Sequence, residues 1–165
     1  MRPLMLVTLV AAALAVTSAS AAVSPRAKVL VRVTSVGGVL ADSRGHTLYS
    51  YAADKARQST CYTSCAAAWP PLLTAGKPLA GLGIRTALLG TTKRKDGKLQ
   101  VTYAGHPLYV FAAETKAGRL DGQGYEGKWW ALDATGAKVT RMPEQQSTPP
   151  PPTTTDPGYG IGGGY

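Results

Sequence analysis

Gly45-His46-Thr47-Leu48-Tyr49-Ser50-Tyr51-Ala52-Ala53-Asp54 and Gly105-His106-Pro107-Leu108-Tyr109-Val110-Phe111-Ala112-Ala113-Glu114 are the two stretches on which the fold of this chain turns. Gly, His, Leu, Tyr and both Ala coincide without a gap, Tyr51 answers to Phe111, and Asp54 answers to Glu114. The same offset carried onward sets Trp69 opposite Trp129. Self-similarity of this kind marks an internal duplication, so the chain is read as two copies of one supersecondary unit.

Working outward, each copy is preceded by residues of strand character. Val29, Val31 and Val33 alternate, Gly37-Gly38 offers a turn, and a short strand from Val39 leads to a turn at Ser43-Arg44-Gly45. In the second copy Asp96-Gly97 is a tight-turn pair, Leu99, Val101 and Tyr103 alternate behind it, and Ala104-Gly105 turns the chain into His106. Strand spacing puts Tyr49 and Tyr51 on one face with Leu48 on the other, and divides Tyr109 and Phe111 from Leu108 and Val110 in the same way. After the first motif, Ala66 to Trp69 fits one helical turn that Pro70-Pro71 ends. After the second, residues 128–133 read as a closing strand with a turn at Ala134-Thr135-Gly136. The expected fold is a small, mostly β, single domain of two pseudo-symmetric antiparallel β-meander repeats with irregular loops. Repeat one covers about 29–73 and repeat two about 84–133, within a domain of 22–142.

The ends of the chain have a different character. Arg2 precedes the apolar run Leu4 to Val16, too short for a stable bilayer span, and Ala19-Ser20-Ala21 fits the small-residue cleavage rule. Residues 1–21 are therefore read as a secretory signal peptide. No cysteine stands at that junction to carry a lipid, so the mature chain is expected to be secreted or wall-associated, with no transmembrane helix. Residues 143–165 hold Pro149 to Pro152 and a Gly/Tyr-rich end, and read as a disordered Pro/Gly tail.

Cys61 and Cys65 are the only cysteines. In an oxidising compartment the pair reads as one disulfide, closing so short a loop that it contributes about 2 kcal/mol at best. A redox pair of the thioredoxin type would use C-x-x-C, and a metal site would call for further ligands nearby. The formal net charge is +9, with 18 Lys and Arg against 9 Asp and Glu, which makes anionic cell-wall or extracellular polymers plausible partners. Lys93-Arg94-Lys95 is the one tight basic run; it abuts the Asp96-Gly97 turn and reads as a solvated turn, with no nucleic-acid motif beside it.

Three duplicated sets are candidates for chemistry. His46 and His106 are the only histidines and occupy equivalent positions after a turn glycine, so a pseudo-twofold axis could bring them to one metal or one haem. The competing reading is a turn-capping or packing residue copied by the duplication. No C-x-x-C-H exists for covalent haem attachment. Asp54 and Glu114 are equivalent too; paired carboxylates suit hydrolysis or calcium, whereas a turn cap or a pair with Lys55 and Lys116 is the plainer role. Tyr49, Tyr51, Tyr109, Phe111, Trp69, Trp129 and Trp130 would form either a stacking surface for a ligand or, with only one Phe in the chain, the core itself. No Ser lies in G-x-S-x-G, so a catalytic role has no support from the motifs.

The paired Leu-Tyr-x-aromatic-Ala-Ala-acidic motifs resemble those of a bacterial secreted-repeat or predicted-lipoprotein family defined by Y-x-(F/W/Y)-x-x-D. The stretch from Cys61-Tyr62-Thr63-Ser64-Cys65 to Trp69-Pro70-Pro71-Leu72 and Gly105-His106-Pro107-Leu108-Tyr109 carry the likeness further. It covers roughly 39–132; the second copy departs by ending in Glu114, and the lipid-attachment cysteine of the lipoprotein members is missing. The resemblance implies the repeat architecture and no established enzyme activity or required cofactor. The functional expectation is thus an exported, monomeric, non-catalytic envelope or extracellular binding module, with Tyr49, Tyr109, His46, His106, Asp54 and Glu114 as ligand-binding candidates. The alternative is a metal- or haem-binding, electron-transferring envelope protein that uses the paired histidines.

Overall fold

The computed structural model describes residues 25–144, so the expected signal peptide and almost all of the tail lie outside the described residues. Strand β1 (Lys28–Thr34) pairs antiparallel with β2 (Gly37–Asp42), and the short β4 (Leu79–Ala80) returns to lie parallel on its other edge. The first hairpin turns at Ser35-Val36 rather than at the two glycines: Gly37 takes φ +108 and opens β2, where the Thr34 hydroxyl donates to its carbonyl at 2.8 Å. In the second copy β5 (Leu89–Lys93), β6 (Leu99–Tyr103) and β7 (His106–Pro107) form a three-stranded antiparallel sheet, with its first turn at Asp96-Gly97 as expected. Helix α1 (Ser64–Ala68) is the single turn ahead of Trp69-Pro70.

Each motif strand is completed by the other repeat. β3 (Tyr49–Tyr51) pairs antiparallel with β8 (Trp129–Ala131) from the end of repeat two, while Tyr109 of repeat two bridges to Pro71 from the end of repeat one. Between them, the Tyr49 amide donates to the Tyr109 carbonyl at 2.8 Å and the Tyr109 amide to the Tyr49 carbonyl at 3.0 Å. The amides of Ala52 and Ala112 reach the carbonyls of Lys128 and Ala68 at 2.8 and 2.9 Å, again one bond per copy. These reciprocal bonds define a pseudo-twofold axis through the Tyr49–Tyr109 bridge. The repeats are therefore interlocked rather than set side by side as separate meanders.

Alternation along the central strands makes two cores. Leu48 and Leu108 point to one side, into an aliphatic cluster with Val29, Leu40, Val101, Tyr103 and Leu132. Tyr49 and Tyr109 point to the other, into an aromatic cluster with Trp69, Trp129, Val39 and Cys61. The copies match without a gap from the motif onward, but before it they are out of step by one residue. Leu40 and Val101 play the same part: the amides of Leu48 and Leu108 donate to their carbonyls at 2.9 and 3.0 Å. The first copy's turn before the motif is one residue longer.

Candidate functional site

The tyrosines of the motif reach across the pseudo-axis to the acids that close it. The Tyr109 hydroxyl donates to Asp54 Oδ2 at 2.7 Å, and the Tyr49 hydroxyl bonds to Glu114 Oε1. Each pair thus joins one repeat to the other, and neither acid engages Lys55 or Lys116 as the local reading expects. Both phenols are fully buried, and their ionisation is pushed far up by that burial, so each is a neutral donor at any ordinary pH.

The surroundings of the pairs differ. Around Tyr109, the Ser59 hydroxyl lies 2.8 Å from the phenol oxygen, and Arg94 donates to Ser59 at 2.9 Å, to Gln100 Oε1 at 2.6 Å and to the Cys61 carbonyl at 2.8 Å. Asp54 Oδ1 accepts from the Thr60 amide at 2.7 Å and from its hydroxyl at 2.9 Å. Burial raises the Asp54 carboxyl above its ordinary value, while these donors and the Arg94 charge pull it back. Glu114 has fewer partners: Oε1 also accepts from the Gly122 amide at 3.0 Å, and the buried Oε2 has none among the described residues. Burial pushes this carboxyl up to about 7. Gly122 has to be glycine, since a Cβ there would stand 2.7 Å from the Trp69 ring and 3.0 Å from Tyr49.

Trp69 and Trp129, equivalent by sequence, stack across the axis at 3.9 Å between centroids and 3° between planes. Tyr51 stacks on the outer face of Trp129 and Phe111 on that of Trp69, each at 4.3 Å. Tyr49 and Tyr109 meet the indoles edge-on at 5.4 and 5.2 Å, a geometry aromatic quadrupoles favour. The aromatic set is thus largely core, with Tyr51 and Phe111 half-buried at the ends of the stack.

The two histidines sit in different local settings. His46 donates its amide to Asp42 Oδ1 at 2.9 Å and sets Nδ1 3.6 Å from Asp42 Oδ2, so it belongs to the longer turn of repeat one. His106 starts β7, opposite Tyr103, and its protonation is lowered first by burial and then by Lys138, against the pull of Asp54. They have no protein partner in common, and among the described residues no group of three or more His, Cys, Asp and Glu side chains is placed to hold a metal ion. Cys61 and Cys65 form the disulfide, on the loop that carries α1. A groove of about 740 Å³ is lined by residues that include Ser35, Arg119, Asp121, Gln123 and Met142, and none of the sequence-derived candidates lines it.

Sequence reasoning missed Arg94, Ser59 and Gln100, all buried. The one readable signal for Arg94 is strand alternation: it lies between Lys93 and Lys95, which are exposed, and points the other way. Its guanidinium also lies over the Tyr62 ring at 4.4 Å.

A family described as a secreted repeat of unknown function matches residues 31–73 and 90–133, one copy on each repeat and together more than half of the chain. The chain belongs to this family. It is a secreted bacterial repeat protein. Among the described residues no helix is long and apolar enough to cross a membrane. Comparison with curated proteins and with solved structures finds no match.

Proposed function

We propose that this secreted repeat is a non-catalytic binding module for anionic polymers of the cell envelope, and that the duplicated motif running from Tyr49 to Asp54 and from Tyr109 to Glu114 serves to lock its scaffold. The observation that carries this reading is how the charges are spent. Of the Lys and Arg side chains in residues 25–144, only Arg94 is buried; every other one is exposed. All the acids in the same residues but the exposed Glu144 are committed within the protein instead. Asp54 and Glu114 take the buried phenols, Asp42 and Asp133 hold turns, and Asp96, Asp121 and Glu126 pair with cations two residues away. Lys28, Arg32, Lys55, Arg57, Lys77, Arg85, Lys93 and Lys95 are left facing water with no ion pair among the described residues.

Surplus exposed cations on a rigid scaffold attract polyanions through a screened, long-range field. The test is retention of the mature protein on bacterial wall preparations that keep or lack their anionic polymers, over a series of salt concentrations. The expected result is loss of retention when the polymer is stripped and a steep fall as salt rises, with Lys93→Glu and Lys95→Glu together weakening both. Retention indifferent to polymer and salt would contradict the reading.

A further inference from the structure

The aromatic core does more than fill space. Its rings form an unbroken chain between two surfaces: Tyr51, half-buried, lies 4.3 Å from Trp129, which lies 3.9 Å from Trp69, which lies 5.7 Å from Tyr125, 43% exposed. All four are electron-rich phenol or indole rings. Phe111, the ring that cannot serve in this way, sits at a stack end, where Tyr125 meets Trp69 directly. Two further phenols branch off the inner pair, Tyr109 from Trp129 and Tyr49 from Trp69, and each has a carboxylate oxygen on its hydroxyl. Packing alone does not call for that second feature. Phenylalanine would fill the same volume, and burying a phenol with a carboxylate carries a desolvation cost that an apolar pair avoids.

We infer that the core is a one-electron relay, which accepts oxidation by a diffusible radical at a surface ring, passes the electron deficit through Trp129 and Trp69, and holds it as a phenoxyl radical on Tyr109. The balance closes within the pair. The external radical takes one electron and becomes its anion; Tyr109 loses that electron and its hydroxyl proton; the proton moves along the 2.7 Å hydrogen bond to Asp54 Oδ2. Tyr109 does not ionise on its own, because burial holds its proton, so proton and electron must leave together. Asp54 is the better acceptor of the two acids. The Thr60 amide and hydroxyl and the nearby Arg94 charge favour its ionised form, whereas Glu114, with an orphaned oxygen, takes its own proton near neutrality. An exported protein meets such radicals outside the reducing cytoplasm, and a soluble enediol or thiol reductant supplies the electron, giving up its own proton to water, while the proton on Asp54 returns to Tyr109 and restores the phenol and the carboxylate together.

The test is pulse radiolysis of the mature protein with azide radical as the one-electron oxidant, followed by optical detection of indolyl and phenoxyl radicals. The expected result is a first-order decay of indolyl, independent of protein concentration and matched by growth of phenoxyl. Asp54→Asn keeps an oxygen for the Tyr109 hydroxyl but cannot take its proton, so the phenoxyl yield should fall several-fold while the near-UV circular dichroism is kept. Glu114→Gln should leave the yield unchanged. Should Asp54→Asn fail to fold, Tyr109→Phe, which keeps the ring against Trp129, should show the same loss. An undiminished phenoxyl yield in the folded variant, or indolyl decay that scales with protein concentration, would overturn the relay.

Discussion

The Tyr109–Asp54 and Tyr49–Glu114 pairs descend from one motif and occupy symmetric positions, yet they have become different kinds of site. Asp54 is half-buried and fully partnered, and its tyrosine sits in a polar network of Ser59, Arg94 and Gln100. Glu114, one methylene longer, is more deeply buried, and among the described residues a single backbone amide, that of Gly122, is its only donor besides Tyr49. The contrast teaches that duplication copied the strand, its register and the reach across the axis, while the loops that diverged set the chemistry around each carboxylate. Repeat one spends its loop on the disulfide and on Arg94's carbonyl partner at Cys61; repeat two spends its loop on Gly122.

Removing what only one site has should produce the largest difference. Arg94→Met takes the donor from Ser59, Gln100 and the Cys61 carbonyl together, and we expect a loss of about 3 kcal/mol in urea unfolding, since each orphaned buried group costs roughly 1–3 kcal/mol. A loss under 1 kcal/mol would mean that the network is not buried as described.

Comparable in size is the effect of pH at the other site. The Glu114 carboxyl titrates near 7 when folded and at about 4.3 when unfolded, so between those values the folded state holds a proton that the unfolded chain has released. Stability should therefore be full below about pH 4.3, fall as pH rises through this window, and level off above it, by about 3–4 kcal/mol in all. Glu114→Gln should remove that slope while the contribution of Asp54 remains. A slope unchanged in Glu114→Gln would assign it elsewhere.

The smallest effect sharpens the symmetry itself. Tyr49→Phe and Tyr109→Phe should each cost about 1–2 kcal/mol, the worth of a hydrogen bond to a buried carboxyl. The Tyr49→Phe loss should be greater at high pH than at low pH, because the phenol's hydrogen bond favours the ionised Glu114 and is strongest when made to it.

Much of this was legible from residue order. The gapless match from Gly45 to Asp54 with Gly105 to Glu114 gave the duplication; strand alternation sorted Leu48 from Tyr49; Trp69 and Trp129 emerged as equivalents; and Asp96-Gly97 turned where expected. What residue order could not convey was partnership. A strand's own pattern says which face is apolar but not which strand lies beside it, so the pairing of β3 with β8 and the crossing of Tyr109 to Asp54 had no local signal. Arg94 was hidden for a related reason: beside two lysines and a turn its charge looks solvated, and only the distant Ser59, Cys61 and Gln100 make burial tolerable. Alternation alone did not say how far the burial of β1 extends: Val29 is fully buried and Val33 is 85% exposed.

The measurement that goes most directly to the interlocking of the repeats is the near-UV circular dichroism of residues 22–83 and 84–142 made as separate chains, alone and mixed. Because Trp69 is stacked on Trp129 and each motif strand is completed by the other copy, neither chain should show an aromatic signal by itself, and mixing should restore that of the whole protein. A full aromatic signal from either chain alone would contradict the account, and would return the two repeats to independent meanders.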